Sequence, residues 1–199
     1  FDGNPGIKDA IEALGVPHAE VDLIVVNGES VGFDCHLRHG DRVAVYPVFE
    51  SIDISPAEKL RPRPLRVSRF ILDVHLGTLA RRLRMLGFDT SYRNDYEDRE
   101  IVTTAAREER IILTRDRALL YHNIVTRGYW VRSTDPDEQV HEVVARFDLV
   151  SQFQPFSRCI ACNGEMEAVE KAEIEHRLEP KTRRYFDEFK QCRDCGRIY

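Results

Sequence analysis

The sequence predicts an α/β chain in three parts: a small α+β unit at 1–54, a three-layer α/β domain with a parallel sheet at 67–150, and a cysteine-containing segment at 151–199. Strands and helices alternate strictly in the middle part, which is typical of a parallel sheet covered by helices on both faces. Two Cys-x-x-Cys motifs mark the last part. A Pro- and Arg-rich stretch at 55–66 separates the first two parts and predicts a linker.

Composition excludes several classes of protein. Of the 199 residues, 42% are hydrophobic and 32% are charged, which excludes a wholly disordered chain. No apolar run approaches the ~20 residues of a membrane helix, so we expect no membrane partner. The net charge of −5 arises from residues 1–54, where 3 Lys and Arg stand against 10 Asp and Glu; residues 55–150 carry +2 and residues 151–199 carry 0. The total charge therefore does not exclude nucleic-acid binding by the second and third parts.

The first part predicts one helix beside a few strands. Ile7, Ile11 and Leu14 recur at helical spacing, and Gly15 can end that helix. The strands are expected at 23–26, 31–34 and 43–46, with an Asn-Gly turn between the first two. Because this is little core for a separate domain, and because the chain begins on Phe1, we expect further strands before it.

The linker carries three prolines interleaved with basic residues. Proline stiffens the chain and removes backbone donors, so we expect a semi-extended spacer. Two interpretations of its charge stay open: a strap that binds phosphates, or a linker that is merely well solvated.

The middle part alternates regularly. Strands are expected at 69–72, 88–92, 110–114 and 128–131. The helix between the first two is predicted by the face Leu76, Leu79, Ala80, Leu83 and Leu86, and it ends at Gly87. Asp98 can cap the next helix, a short helix follows Asp116, and Asp135-Pro136 begins the last one.

Four cysteines carry the most specific signal. Cys159, Cys162, Cys192 and Cys195 form two Cys-x-x-Cys pairs whose spacing predicts a closed structural zinc site of ribbon type. The alternative, a redox motif, would need one such pair at a strand-to-helix junction rather than two. We expect Cys35 to be an ordinary core residue. This cysteine usage indicates a reducing, cytoplasmic location.

Three aspartates follow predicted strands or begin a predicted helix. Asp73 and Asp116 come at the ends of two strands, and Asp98 begins the helix between them. The carboxyl ends of parallel strands share one edge, so these carboxylates should converge there. Such a group needs a hard cation, and we expect Mg²⁺ or Mn²⁺ and phosphodiester hydrolysis. The alternative for Asp98 and Asp116 is a plain helix cap.

Basic residues flank these acids. Arg81, Arg84, Arg115 and Arg117 are the candidate phosphate contacts, because the guanidinium group suits bidentate phosphate binding. Arg82 fits a solvated helix face.

These residues resemble a known family. The run from Asp73 to Asp89, the block L-T-R-D-R at 113–117 and the block R-C-x-x-C-N at 158–163 resemble the Mut-seven C-terminal RNase family, a PIN-like group with an appended zinc ribbon. The segments G-V-P-H, V-N-G, G-D-R-V and V-Y-P between residues 15 and 47 resemble the ubiquitin-like β-grasp domain that precedes this RNase in some bacterial proteins. This second resemblance implies that the N-terminal hairpin of the β-grasp domain would lie before Phe1.

The resemblance implies a PIN-like endoribonuclease whose Asp73, Asp98 and Asp116 bind Mg²⁺ or Mn²⁺ and whose product carries a 5′-phosphate. One helical Glu of the family pattern has no clear counterpart here, and Asp95 and Glu100 are the candidates to replace it. The expected partner is RNA (tRNA, rRNA or mRNA, including RNA on the ribosome). Two alternatives stay open: a non-catalytic RNA or ribosome binder, and an adaptor whose acidic β-grasp domain recruits a protein.

Overall fold

The computed structural model describes residues 4–47, 60 and 68–199, and it has the mixed α/β architecture that the sequence predicts. The strands are β1 (Val21–Val26), β2 (Glu29–Val31), β3 (Val43–Pro47), β4 (Phe70–Leu72), β5 (Thr90–Ser91), β6 (Ile111–Thr114), β7 (Gly128–Trp130), β8 (Met166–Val169) and β9 (Phe189–Cys192). The α-helices are α1 (Ile7–Ala13), α2 (Gly77–Met85), α3 (Asp98–Glu108), α4 (Pro136–Arg146), α5 (Lys171–Ile174) and α6 (Pro180–Tyr185). None of these helices has the length and apolar character needed to cross a bilayer.

The N-terminal unit packs helix α1 on a three-stranded antiparallel sheet of order β2-β1-β3. Asn27 and Gly28 both have positive φ, as a tight hairpin turn of this kind requires. Strand β2 therefore begins directly after the turn at Glu29, and its pairing with β1 ends at Val31. The expectation of a returning strand at 31–34 is wrong in its bounds, because the turn sets the register.

The central sheet is parallel throughout, with strand order β5-β4-β6-β7. Alternate residues of a strand face opposite layers. Phe70 and Leu72 of β4 pack with helices α2 and α4, whereas Ile71 packs with helix α3 on the other face. Because both faces are covered, the inner strands are apolar along their length, which confirms the three-layer prediction.

Helix α3 begins differently from the prediction. Its N-cap is Glu97, and Asp98 is the first helical residue. Glu97 and Glu100 form a reciprocal capping box, in which the Glu97 backbone N–H donates to Glu100 Oε2 at 3.1 Å. The Asp98 carboxylate is thus not needed as a cap. Asp135 caps α4 as predicted, with Pro136 in the first helical position.

The predicted linker at 55–66 lies outside the described residues, apart from Leu60. Leu60 packs against the core of the N-terminal unit. The assignment of the other linker residues to a strap or a spacer stays a prediction.

The N-terminal unit lies against the β7 edge of the central sheet. Ala19 joins the apolar cluster under helix α3. The Glu20 carboxylate accepts the Trp130 backbone N–H at 2.7 Å, and His18 Nε2 donates to the Val125 carbonyl at 2.9 Å. The unit is therefore anchored on the central α/β domain by buried residues.

The C-terminal segment pairs β8 with β9 and lies against the opposite edge, at β5. Asn163 Oδ1 accepts the Thr90 backbone N–H at 2.8 Å, and Asn163 Nδ2 donates to Asp89 Oδ1 at 2.7 Å. Gly87 has φ +99°, and a Cβ there would lie 2.1 Å from the Gln154 carbonyl oxygen. Only glycine lets the chain that leads into the ribbon pass this close.

Candidate active site and metal centre

Asp73 directly follows strand β4 and is buried. Its Oδ1 accepts the His75 backbone N–H at 2.9 Å, so it caps the short 3₁₀ turn after the strand. Its Oδ2 accepts the Arg115 backbone N–H at 2.8 Å and the Thr114 hydroxyl. Strand β6 therefore holds this carboxylate at the carboxyl edge of the sheet, where the sequence predicts it.

Asp116 lies at the same edge, two residues beyond strand β6, and its side chain is exposed. Its Oδ1 accepts the Ala118 backbone N–H at 2.8 Å, and its own N–H donates to Thr114 Oγ1 at 2.8 Å. The Thr114 hydroxyl, which donates to Asp73, thus also accepts from the Asp116 backbone. Asp116 is both a cap and a neighbour of Asp73, so the two interpretations of this residue are compatible.

Asp98 reaches the carboxyl edge by topology, because helix α3 starts after β5 and returns to the parallel strand β6. Its side chain is exposed. Among the described residues, Asp98 shares no hydrogen-bond partner with Asp73 or Asp116, and the three carboxylates do not form a group with metal-ligand spacing. Thr114 links the Asp73 carboxylate to the backbone of Asp116, whereas Asp98 has no such link to either residue through the residues that the structure describes.

The four cysteines do form such a group. The sulfurs of Cys159, Cys162, Cys192 and Cys195 all lie within 4.8 Å of one another, the one such set in the described ranges. Cys159 Sγ is 3.6 Å from Cys195 Sγ, and Cys162 Sγ is 3.4 Å from Cys192 Sγ. These separations approach the ~3.8 Å edge of a tetrahedron with Zn–S bonds of about 2.3 Å. The donor set and the geometry therefore fit a structural zinc ion.

The turns around the sulfurs have the form expected of zinc knuckles. Asn163 and Gly196 follow the second cysteine of each pair with φ of +72° and +68°. Although burial opposes ionisation, backbone N–H donors and the Tyr199 hydroxyl lower the pKa of Cys159 to about 6. Burial and the neighbouring sulfurs raise the pKa of Cys162 to about 12. Four thiolates this close need a cation to ionise together.

Two family models match the chain. The Mut7-C RNAse domain matches residues 68–199, and the Mut7-C ubiquitin model matches residues 1–53. The chain belongs to the Mut7-C RNAse family. No curated protein and no solved structure matches it. The order of a ubiquitin-like domain followed by the RNAse domain is the order that the sequence predicts.

The candidate RNA contacts of the Mut7-C domain differ in their exposure and in their existing hydrogen bonds. Arg81 is exposed on α2, and Arg117 is exposed with its guanidinium 5.2 Å from the centre of the Trp130 ring. Arg115 is half-buried, and its Nη1 donates to the carbonyls of Val131, Arg132 and Ser133. Arg81 and Arg117 are free to contact a phosphate, whereas one side of the Arg115 guanidinium is already engaged.

Arg84 needs a correction. It is 4% exposed, and its Nε donates to the Thr90 carbonyl at 2.9 Å. Its Nη1 donates to the carbonyls of Ile160 and Ala161, between Cys159 and Cys162. Burial lowers its pKa, and the nearby Cys162 sulfur opposes that shift. Arg84 therefore fastens the turn between Cys159 and Cys162 to helix α2 and strand β5, and it is not available on the surface for RNA.

Sequence reasoning missed the residues that connect the site to its surroundings. The Thr114 hydroxyl links the Asp73 carboxylate to the Asp116 backbone N–H, and a hydroxyl that ends an otherwise apolar strand is a signal that could have identified it. Glu20 and Trp130 join the ubiquitin-like domain to the same edge. Their pairing spans more than 100 positions, and no local pattern in the sequence indicates it.

Proposed function

We propose that this chain is a metal-dependent ribonuclease that hydrolyses RNA phosphodiester bonds at the carboxyl edge of the central sheet. Its membership of the Mut7-C RNAse family points to a nuclease. The observation that carries the proposal is that Asp73 and Asp116 lie together at this edge, where the Thr114 hydroxyl donates to the Asp73 carboxylate and accepts the Asp116 backbone N–H.

Asp73, Asp98 and Asp116 would hold Mg²⁺ or Mn²⁺, because oxygen ligands suit these hard ions and two of the three carboxylates are exposed at the edge. When bound, such an ion supplies Lewis acidity toward a phosphate oxygen and an attacking water. Buried Asp73 is fixed by three hydrogen-bond donors, so its carboxylate is pre-oriented. Arg81 and Arg117 would bind the RNA backbone, and Arg115 would orient the loop that carries Asp116.

The zinc ribbon would have a structural role. A closed set of four cysteines leaves no open position for a substrate. Its fold holds the β5 edge through Asn163 and Arg84, so it would support the nuclease domain and extend the RNA-binding surface.

A non-catalytic RNA or ribosome binder is the second candidate. The observation in its favour is that Asp98 stays apart from the other two acids in the described part of the chain. RNA binding that needs no Mg²⁺ or Mn²⁺, without cleavage, would favour this candidate over the nuclease.

The test is cleavage of labelled tRNA, rRNA and mRNA fragments by the full chain in Mg²⁺, Mn²⁺ or EDTA. We expect cleavage with either ion, none in EDTA, and products with a 5′-phosphate. Asp116→Asn should lower the cleavage rate by a factor on the order of 100 or more. Asp148→Asn is the matched control, because Asp148 is exposed after α4 with φ +45°, a conformation that Asn adopts readily. Equal cleavage by Asp116→Asn and wild type would refute the site.

A further inference from the structure

Glu20, a buried acid of the ubiquitin-like domain, binds strand β7 of the central sheet. Glu20 is 7% exposed. Its Oε1 accepts the Trp130 backbone N–H at 2.7 Å, and its Oε2 pairs with Arg132 Nη2 at 3.1 Å. The Glu20 carbonyl also accepts from Arg146 Nη2 at 3.2 Å. An acid enclosed this far is costly unless it is paired, so these contacts fix one arrangement of the two domains.

The contact continues from Trp130 toward the carboxylates. Trp130 Nε1 donates to the Arg115 carbonyl oxygen at 3.2 Å. That oxygen belongs to the peptide whose N–H is on Asp116, and this N–H donates to Thr114 Oγ1 at 2.8 Å. The preceding peptide donates from Arg115 N to Asp73 Oδ2 at 2.8 Å. The backbone from Thr114 to Asp116 is thus held by the Trp130 indole at the Arg115 carbonyl and by the Asp73 carboxylate at the Arg115 N–H.

The same indole ring also orients the basic residues at this edge. The guanidinium of Arg117 lies 5.2 Å from the ring centre and that of Arg132 lies 5.1 Å from it. Arg117 in turn approaches the ubiquitin-like domain, with Nη1 3.8 Å from where a Cβ on Gly15 would be. Movement of Trp130 would therefore displace a candidate phosphate contact together with the Asp116 loop.

We propose that Glu20 and Trp130 are positioning residues of the nuclease site, through which the docked ubiquitin-like domain sets the geometry of Asp116. This inference rests on the proposed ribonuclease function. A contact that only stabilised the domains would end at strand β7, whereas this one continues to the peptide of Asp116. Small displacements of reacting groups lower the rate far more than they lower binding.

The activity test uses the full chain with Trp130→Phe, Glu20→Ala and the control Glu29→Ala. Phenylalanine keeps an aromatic ring under Arg117 but removes the N–H that the Arg115 carbonyl accepts. We expect kcat in Mn²⁺ to fall about tenfold or more for Trp130→Phe and Glu20→Ala, with KM for RNA within about twofold. Glu29 is exposed on β2 and should be silent. An unchanged kcat in both variants, or a rise in KM alone, would overturn the inference.

A second measurement does not depend on activity. The chain has one tryptophan, so its indole N–H gives a single NMR signal. We expect Glu20→Ala to speed the hydrogen exchange of that indole and of the Arg115 amide about tenfold or more, while Glu29→Ala leaves both unchanged. Unchanged exchange in Glu20→Ala would refute the link even if Asp116→Asn abolishes cleavage. If the proposed nuclease site itself were wrong, wild type and Asp116→Asn would instead cleave RNA equally well.

Discussion

At each edge of the central sheet, a side chain from another part of the chain accepts a backbone N–H of the edge strand. The C-terminal segment supplies this acceptor at β5, and the ubiquitin-like domain supplies it at β7. At β5 the neutral amide of Asn163, next to Cys162 of the four-cysteine cluster, accepts the Thr90 N–H. At β7 the charged carboxylate of Glu20 accepts the Trp130 N–H. Both satisfy an edge that would otherwise offer unpaired backbone groups to other chains. Closure at β5 should therefore depend on the metal, and closure at β7 should depend on charge.

The difference extends to the neighbouring ion pairs. Near β5, Arg110 binds both oxygens of Asp89 at 2.8 and 3.2 Å, and both side chains are mostly buried. Near β7, Glu20 is buried but its partner Arg132 is 48% exposed. The C-terminal segment thus contacts an enclosed ion pair through Asn163, whereas the ubiquitin-like domain is held by an ion pair that is open to solvent.

Zinc removal should lower stability more than any other change considered below, and it should disrupt only the β5 edge of the sheet. Binding of a structural zinc contributes about 10–16 kcal/mol to the folding of isolated zinc fingers. We expect a strong chelator, or Cys192→Ser, to unfold the β8–β9 hairpin and to abolish the hydrogen-exchange protection of the Thr90 amide. The Trp130 amide should stay protected. Cys35→Ser is the control, because Cys35 lies outside the cluster. Simultaneous loss of both protections would contradict the independence of the two edges.

Loss of the buried pair at β5 should have the next largest effect. Asp89→Ala leaves Arg110 buried without its main partner, and we expect the free energy of unfolding to fall by about 3–5 kcal/mol. Asp187→Ala also breaks an ion pair, but its acid is 88% exposed, so we expect less than about 1 kcal/mol. Urea unfolding checks both. Equal losses would show that burial does not decide the strength of these pairs.

Low pH should also reduce the stability that the ion pair near β5 contributes. Burial opposes it, but the hydrogen bonds from Arg110 and Asn163 hold the pKa of Asp89 below its usual value. The stability from this group is complete above the unfolded pKa near 3.9 and is lost as the pH falls through the folded value. The difference in stability between wild type and Asp89→Ala should therefore shrink below about pH 4, as measured by urea unfolding.

A smaller pH effect should act on the β7 edge. Burial lowers the pKa of His18 and outweighs its hydrogen bond with Glu12. A buried neutral histidine costs stability once the unfolded state takes up a proton, so docking should weaken as the pH falls below about 6.5. Trp130 fluorescence from pH 8 to 5 follows this docking. His18→Gln should flatten the profile, and an unchanged profile in that variant would exclude His18 as the cause.

The sequence predicts the elements because local physics determines them. The Asn27-Gly28 turn, the Asp135-Pro136 helix start and the two cysteine pairs each need only a few adjacent residues. The spacing within each cysteine pair fixes its turn, whereas the pairing of β8 with β9 brings the two turns together into one cluster.

The arginines show where such reasoning stops. Arg81, Arg82 and Arg84 are close together on one helix, and composition cannot tell them apart. The structure exposes Arg81, pairs Arg82 with Asp137 and buries Arg84 against carbonyls of residues 160 and 161. Burial of a charged side chain depends on distant backbone that satisfies its donors, and a single sequence does not show that backbone. The same limit hid the contact between Glu20 and Trp130.

The manganese dependence of RNA cleavage tests the central claim most directly. Cleavage rates of wild type, Asp116→Asn and Asp148→Asn are measured against Mn²⁺ concentration, with RNA affinity determined on the same samples. The account predicts saturable cleavage by wild type and Asp148→Asn, and a rate lower by a factor on the order of 100 in Asp116→Asn, with RNA affinity retained. RNA that is bound but uncut by wild type at every Mn²⁺ concentration would contradict it.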